Sequence, residues 1–534
     1  MRTRGVFLSF GLMLALLLAV SVVSPAQEPQ YGGILTIVMD GAGEPSLLDA
    51  QMEPYVEGWL ISHLLADNLA FRDYDGLVKP HLAKWSVSED GLTWIFLIRE
   101  DVVFHDGTPL DAAAVKANFD RVLDPAHPTP QTTDRLGPIE SVEVLDKYVL
   151  KVTFSSVWAS FTDALSIGVF PIWSPTALEK YGDAFPEKVV GSGPFMLDEW
   201  IPGSHVKLVK NPDYNWAPSC IGHSGPAYLD GVVFKWVTEQ GVRGQIIKTP
   251  EANIVMNLPA EYVPSYRDDP DYIFLKTVSP GTGLQHVMNT TENSFLSDIR
   301  VRRAVLYTVD QDEINKLGYG GNWLASYGAV NPLTPSYNPE ASTTAMYPHN
   351  LETARNLLTE AGWVDTDNDG IREKNGEKLE LGWYCIHNEI IGEIVSEQLK
   401  EIGIKVNVRL VPGPVQLEAA QQRTFDFMYE RERGPDIGYL RYFWHSDNAV
   451  PGGWSWTGFT DPVLDKWLDV LRTSADQTER FAASGKAQRI ILENALQVPT
   501  VAQPIFWVLK PEVENFRATT AGNYFHLYDV WLNR

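Results

Sequence analysis

Residues Thr93 to Ile98 read TWIFLI, with Trp94, Phe96 and Ile98 alternating with Thr93, Ile95 and Leu97. A short run of β-formers that is apolar at nearly every position predicts a strand buried on both faces. The turn His105-Asp106-Gly107-Thr108-Pro109 follows, with Gly107 free to take a positive φ and Pro109 fixing the exit. Asp111 then caps a helix whose apolar side carries Val115, Phe119 and Val122. Upstream, a Gly32-Gly33 turn opens the strand Ile34–Met39, and a helix-bearing stretch runs through Tyr55–Leu69. Downstream come two alternating strands, Val142–Leu145 and Val149–Val152, and a sharp Gly191–Phe195 turn into another strand.

The second half has an α/β rhythm. Ser297 is placed to cap a helix carrying Val301, Val305 and Leu306, and Asn350 caps one carrying Ala354, Leu357, Leu358 and Ala361 that ends at Gly362. Asp298, Arg300, Arg302, Arg303 and Asp310 read as a salt-bridged, solvated face of one helix. The strand Leu379–Ile386, a helix over Ile391, Ile394, Leu399 and Ile402, and an alternating strand from Ile404 to Leu410 make a βαβ unit. Such a unit gives a parallel pair with a right-handed crossover.

A chain of 534 residues exceeds one core, so two or three domains are expected. The formal charge of −25 argues against nucleic acid as a partner, because phosphate binding needs clustered Lys and Arg. Arg2 and Arg4 precede a mostly apolar run, Val6–Val23, and Ser24-Pro25-Ala26 supplies small residues at the cleavage offsets. Residues 1–26 are therefore read as a signal peptide cleaved after Ala26, although the apolar run is nearly long enough to stay as an anchor. No Cys follows it, so a lipid-anchored start is not expected, and the mature chain is placed in the periplasm or outside the cell.

Asp365-Thr366-Asp367-Asn368-Asp369-Gly370 resembles a calcium loop, with Asp365, Asp367 and Asp369 at alternate positions and Gly sixth. Its twelfth position is Gly376, where a bidentate Glu is needed, so the preferred reading is a polar turn between helix and strand and no cofactor is expected. For catalysis, Gly453-Trp454-Ser455-Trp456-Thr457 lacks the second glycine of GxSxG, and Gly485-Lys486 lacks the upstream glycine of a phosphate loop. No catalytic constellation stands out, so an enzyme is not expected, with a secreted hydrolase as the distant alternative. The segment Phe425–Phe459 gathers aromatic rings around Arg431, Arg433 and Asp436 in loop-like sequence. Rings supply rigid contact area, and a carboxylate can pair with a ligand ammonium.

The run PHLAKWSVSEDGLTWIFLIREDVVFHDGTPLDAAAV from Pro80 resembles the signature of the family 5 extracellular solute-binding proteins, the peptide- and nickel-binding receptors of ABC importers. Gly191-Ser192-Gly193-Pro194-Phe195, Asn211-Pro212-Asp213-Tyr214 and Ser294–Ile314 are similar to further elements of that family. The resemblance implies an α/β, periplasmic-binding-protein-like fold (type II, cluster C) with two α/β lobes, a hinge and an extra inserted lobe. Lobe I would comprise 27–50, 191–287 and 504–534, lobe II 51–190, and lobe III 288–503, with hinge strands near Gln285–Asn289 and Val498–Pro504. A monomer is implied that binds a peptide between hinged lobes and delivers it to an ABC permease. The alternative cargo is an oligosaccharide or other small polar solute, for which the 17 tryptophans would supply stacking surfaces.

By position Asp436 matches the family's carboxylate for a peptide α-amine, while its flanks depart from the family pattern. Arg431 or Arg433 would take an anion. Trp456, Trp444, Trp383 and Tyr429 would stack, and Gln285 would add a polar contact at the hinge. Cys220 and Cys385 would lie in different lobes, where a disulfide would lock the hinge, so two free thiols are expected.

Overall fold

The computed structural model describes residues 28–534 apart from 41–43, 53–55, 75, 127–129, 388, 433, 435, 451, 475 and 519–524. The export segment and Arg433 thus lie outside the described residues. Three larger sheets organise the chain. The first has seven strands, in the order Ile273–Val278, Pro504–Leu509, Ile254–Met256, Ile34–Asp40, Gly231–Val237, His205–Lys210 and Phe195–Ile201. Its central strand, Ile34–Asp40, runs parallel to both neighbours and is covered on both faces.

The second sheet is antiparallel, in the order Ala83–Val87, Thr93–Ile98, Val149–Phe154 and Ile139–Asp146. In Thr93–Ile98 only Trp94, Phe96 and Ile98 are buried, whereas Leu97 is 56% exposed. This corrects the expectation of burial on both faces: an antiparallel sheet needs only one face covered. The following helix, Ala112–Leu123, is capped as expected, Asp111 accepting from the Ala114 N–H at 3.0 Å, with Val115, Phe119 and Val122 buried.

The third sheet has the order Leu324–Ala325, Gln497–Ala502, Leu284–Met288, Phe427–Glu430, Glu380–Cys385 and Lys405–Leu410. Glu380–Cys385 and Lys405–Leu410 are parallel and joined by the helix Glu389–Lys400, the βαβ unit seen in the sequence. Two local readings change. The helix Ile299–Thr308 is capped by Asp298 rather than Ser297, because Ser297 closes a preceding 3-10 turn. Arg302 is buried rather than solvated, donating to the Leu296, Ser297 and Asn494 carbonyls, and Asp310 caps the next helix, Gln311–Tyr319.

The first two sheets share one apolar core, from Leu35, Ile37 and Trp507 through Trp59 and Leu64 to Phe96, Phe119 and Phe161. Backbones meet closely at their junction. A Cβ at Gly191 would overlap the Leu65 carbonyl, and one at Gly193 the Leu64 carbonyl, so only glycine fits. His105 secures this turn: its N–H donates to the Gly191 carbonyl at 2.8 Å, and its ring Nε2 lies 3.0 Å from the Gly193 carbonyl. The buried Asp67 carboxylate accepts from Trp216 Nε1 at 2.9 Å and from Tyr214 Oη at 3.2 Å, and faces His81 Nε2 at 3.0 Å.

The six-stranded lobe has a separate core that reaches the opposite face of the seven-stranded sheet through Val38, Val255 and Val508. The chain crosses between these sheets twice. It leaves Ile273–Val278 and enters Leu284–Met288 through residues 279–283, then returns from Gln497–Ala502 to Pro504–Leu509 through Gln503. The crossings run side by side, since Val278 pairs with Pro504 in one sheet and Leu284 with Val501 in the other. The first change of sheet thus precedes the Gln285–Asn289 segment marked in the sequence. Both thiols are free, Cys220 half-buried and Cys385 buried in the six-stranded lobe.

Candidate functional site

The strand Phe427–Glu430 is buried along its length between Leu284–Met288 and Glu380–Cys385. Its apolar residues fit the middle of a sheet, but it ends on an acid. Glu430 accepts from Gln285 Nε2 at 2.9 Å, the two residues facing each other across the pairing. Burial pushes the Glu430 carboxyl up to about 8, against the lowering effect of the Gln285 bond and with the help of the nearby Glu432 charge. Gln285 Oε1 is buried with no hydrogen-bond partner among the described residues.

Beyond Glu430 the chain enters the boundary where all three sheets meet. Arg431 Nη1 donates to Gln503 Oε1, in the second crossing, at 2.8 Å. Glu432 is tied to the first crossing: its N–H donates to Thr282 Oγ1 at 2.7 Å and its carbonyl accepts from the Thr282 N–H at 3.1 Å. Its carboxylate faces Arg135 of the four-stranded lobe at 3.8 Å. Asp436 accepts from Arg480 Nη2 at 2.6 Å, from the Gly438 N–H at 3.2 Å and from the Ser160 hydroxyl of the four-stranded lobe. Burial raises Asp436, but the Arg480 charge, with the Ser160 and Gly438 bonds, outweighs it and holds the carboxyl below its usual range. Asp163, which pairs with Arg72, is pushed up by burial and then by the Asp436 charge.

The same boundary carries two further contacts between the four- and six-stranded lobes. The Ala159 N–H donates to the Arg472 carbonyl at 2.9 Å, and the Arg472 guanidinium lies 4.5 Å from the centroid of the Trp158 ring. Ser160, Trp158, Arg472 and Arg480 come from distant segments, so no local pattern marks them as a group.

The aromatic expectations divide. Trp383 is fully buried, 3.9 Å from the His286 ring and 4.9 Å from Phe427, and Trp444 is also in the core, so neither presents a face for stacking. Their size and apolar surface go into packing instead. Tyr429 is buried as well, its hydroxyl 2.8 Å from His387 Nε2. Trp456 is buried at the inner end of a stack in which Tyr442, Trp454 and Trp456 follow one another at 5.5 Å between centroids. Tyr442 and Trp454, rings of the aromatic segment Phe425–Phe459 to which no stacking role was assigned, are the exposed members.

Away from this boundary, Asp365, Asp367, Asp369 and Glu373 bring one carboxylate oxygen each within 4.8 Å of one another. Lys378 already pairs with Asp367 and Asp369, supplying a positive charge from the chain itself. A cavity of about 60 Å3 lies between the seven- and four-stranded lobes, lined by His63, Asp67, Asn68, Arg72, His81 and His526 among others. That volume suits a few water molecules and is too small for a peptide.

The chain is 27% identical over 494 residues to the glutathione-binding protein GsiB of Escherichia coli O1:K1, covering 86% of this chain and 90% of that one. Its fold matches the oligopeptide-binding protein AppA of Bacillus subtilis, solved with a nonapeptide, at a TM-score of 0.75 and 22% identity over 95% of this chain and all of that one. It also matches NikA of Brucella suis, solved with Fe(III)-EDTA, at a TM-score of 0.81 and 21% identity over 93% of this chain and all of that one. The architecture is thus that of the periplasmic binding proteins, as the sequence motifs implied. Residues 78–449 match the model of the bacterial extracellular solute-binding proteins, family 5, and the chain belongs to that family.

Proposed function

We propose that this protein is the exported, monomeric receptor of an ABC import system, closing its six-stranded lobe against the other two over a peptide and presenting it to the permease. The observation that carries this reading is the pair of adjacent crossings at 279–283 and Gln503, with Arg431 and Glu432 bonded to them. Two parallel tethers form a hinge, and a solute touching both sides binds the closed state better, which shifts the population toward closure. The names of GsiB and AppA favour peptide cargo. Among the described residues no helix is long and apolar enough to cross a membrane, which accords with a receptor that acts outside it.

The half-exposed rings of Tyr442 and Trp454 favour a second cargo, a solute bearing a sugar ring, because such rings stack on aromatic faces. Native mass spectrometry of the purified full chain, followed by release and identification of retained solute, decides between them. A retained peptide is expected. A retained glycan selects the second cargo, and turnover of a peptide or glycan panel into products would end the receptor reading.

A further inference from the structure

The charges at the lobe boundary specify the chemistry of the cargo's anchoring group. Three acids lie on or beside the segment leaving the strand Phe427–Glu430, and each is engaged by the chain itself. Glu430 is buried against Gln285, Glu432 faces Arg135, and Asp436 is held by Arg480 and Ser160. Arg480 is itself fixed, its Nε donating to the Leu471 carbonyl at 2.8 Å. An entering α-ammonium would have to displace this guanidinium or sit beside its like charge, and the fixed position of Arg480 disfavours both.

Arg431 stands in the opposite condition. Its hydrogen-bond partner is the neutral side-chain amide of Gln503, and among the described residues no carboxylate lies within ion-pair distance of it. It sits between the end of a six-stranded-lobe strand and the crossing into the seven-stranded lobe, so an anion bound to it touches both sides of the hinge. We propose that the receptor selects its solute through an anionic group, a carboxylate in the first instance, received by Arg431, and that it does not read an α-ammonium. Asp436 then serves closure, joining Arg480 to Ser160 across the boundary. This rests on the receptor reading above and adds the charge class of the cargo.

The test uses the full chain and a pool of tripeptides in three forms: free, N-acetylated and C-amidated. Retention is scored by native mass spectrometry and affinity by calorimetry. Acetylation is expected to change affinity less than threefold, and amidation to weaken it tenfold or more. Arg431→Gln is expected to weaken the free form equally and the amidated form no further, with circular dichroism and the melting temperature unchanged. A tenfold loss on acetylation with little loss on amidation would overturn the proposal.

If no peptide form is retained, peptide cargo fails as a reading, and the anion proposal is decided with di- and tricarboxylic acids and uronic acids against neutral sugars. Retention of acids that Arg431→Gln abolishes supports it. Retention of neutral sugars alone, or of nothing from either pool, overturns it.

Discussion

The four-stranded lobe meets its two neighbours in different ways. Toward the seven-stranded sheet it shares a core, with glycine turns at 191 and 193 admitting backbone contact and the Asp67 carboxylate bonded from Trp216 and Tyr214. Toward the six-stranded lobe it offers a line of discrete contacts: Ala159 to Arg472, Trp158 under the same arginine, Ser160 to Asp436 and Arg135 to Glu432. A shared core resists separation, because opening it exposes apolar area on the order of 25 cal/mol for each Å2. Polar contacts between part-exposed groups exchange for water at little net cost. The difference implies that the inserted lobe travels with the seven-stranded lobe and meets the third as a reversible latch.

The largest effect is expected at Asp67. Asp67→Ala removes the buried acceptor of Tyr214 and the carboxylate facing His81, and leaves Trp216 Nε1 only the Ser192 carbonyl, so a loss of about 3–5 kcal/mol is expected in denaturant unfolding. A loss below about 1 kcal/mol would place the junction in the same class as the latch.

Next is Glu430, inside the six-stranded lobe. Its folded pKa of about 8 lies above the ordinary 4.5, so between those values the unfolded chain releases a proton that the folded chain keeps. Stability therefore falls as pH rises through that window, by on the order of 1.4 kcal/mol per pH unit. Glu430→Gln removes this term. At pH 6.5 the variant should be more stable by on the order of 2–3 kcal/mol, while at pH 4 the two proteins should match. Parallel pH profiles for both would show that Glu430 is ionised in the fold.

The smallest effect is expected at the latch. Arg472→Gln loses the contact with Trp158 and should cost about 0.5–1 kcal/mol in global stability. Its clearer signature is a larger radius of gyration by X-ray scattering without added solute, since the closed arrangement loses a contact that the open one lacks. An unchanged radius would remove Arg472 from the latch.

These contrasts also mark what the sequence could convey. Helix caps such as Asp111 and Asn350, the βαβ unit around Glu389–Lys400 and the glycine turn at 191–193 depend on residues close in the chain, and they were legible. The exposure of Leu97 was not, because an apolar residue on the open face of a sheet reads like one in the core. Trp383 has the size and setting of a stacking surface in the sequence, but His286 and Phe427 cover it in the fold. At the site, the aromatic and charged segment was found, but its charge balance was hidden. Arg480 lies 44 residues beyond Asp436, and Ser160 arrives from a different sheet. Tertiary pairing, rather than local composition, determines which of the site's charges remains to meet a solute.

The side-by-side crossings have a consequence for how such a chain can be cut and joined. The third lobe enters at Leu284 and leaves at Ala502, and Leu284 pairs with Val501, so its two ends are neighbours. On the other side Val278 and Pro504 pair as well, close enough for a tight turn to join them. Both ends of the six-stranded lobe are therefore neighbours, and what an excision would uncover is the sheet face at Val38, Val255 and Val508 that its core reaches. A hairpin joining Val278 to Pro504 would close the seven-stranded sheet without it, and a different binding lobe with neighbouring ends could be grafted into the same opening.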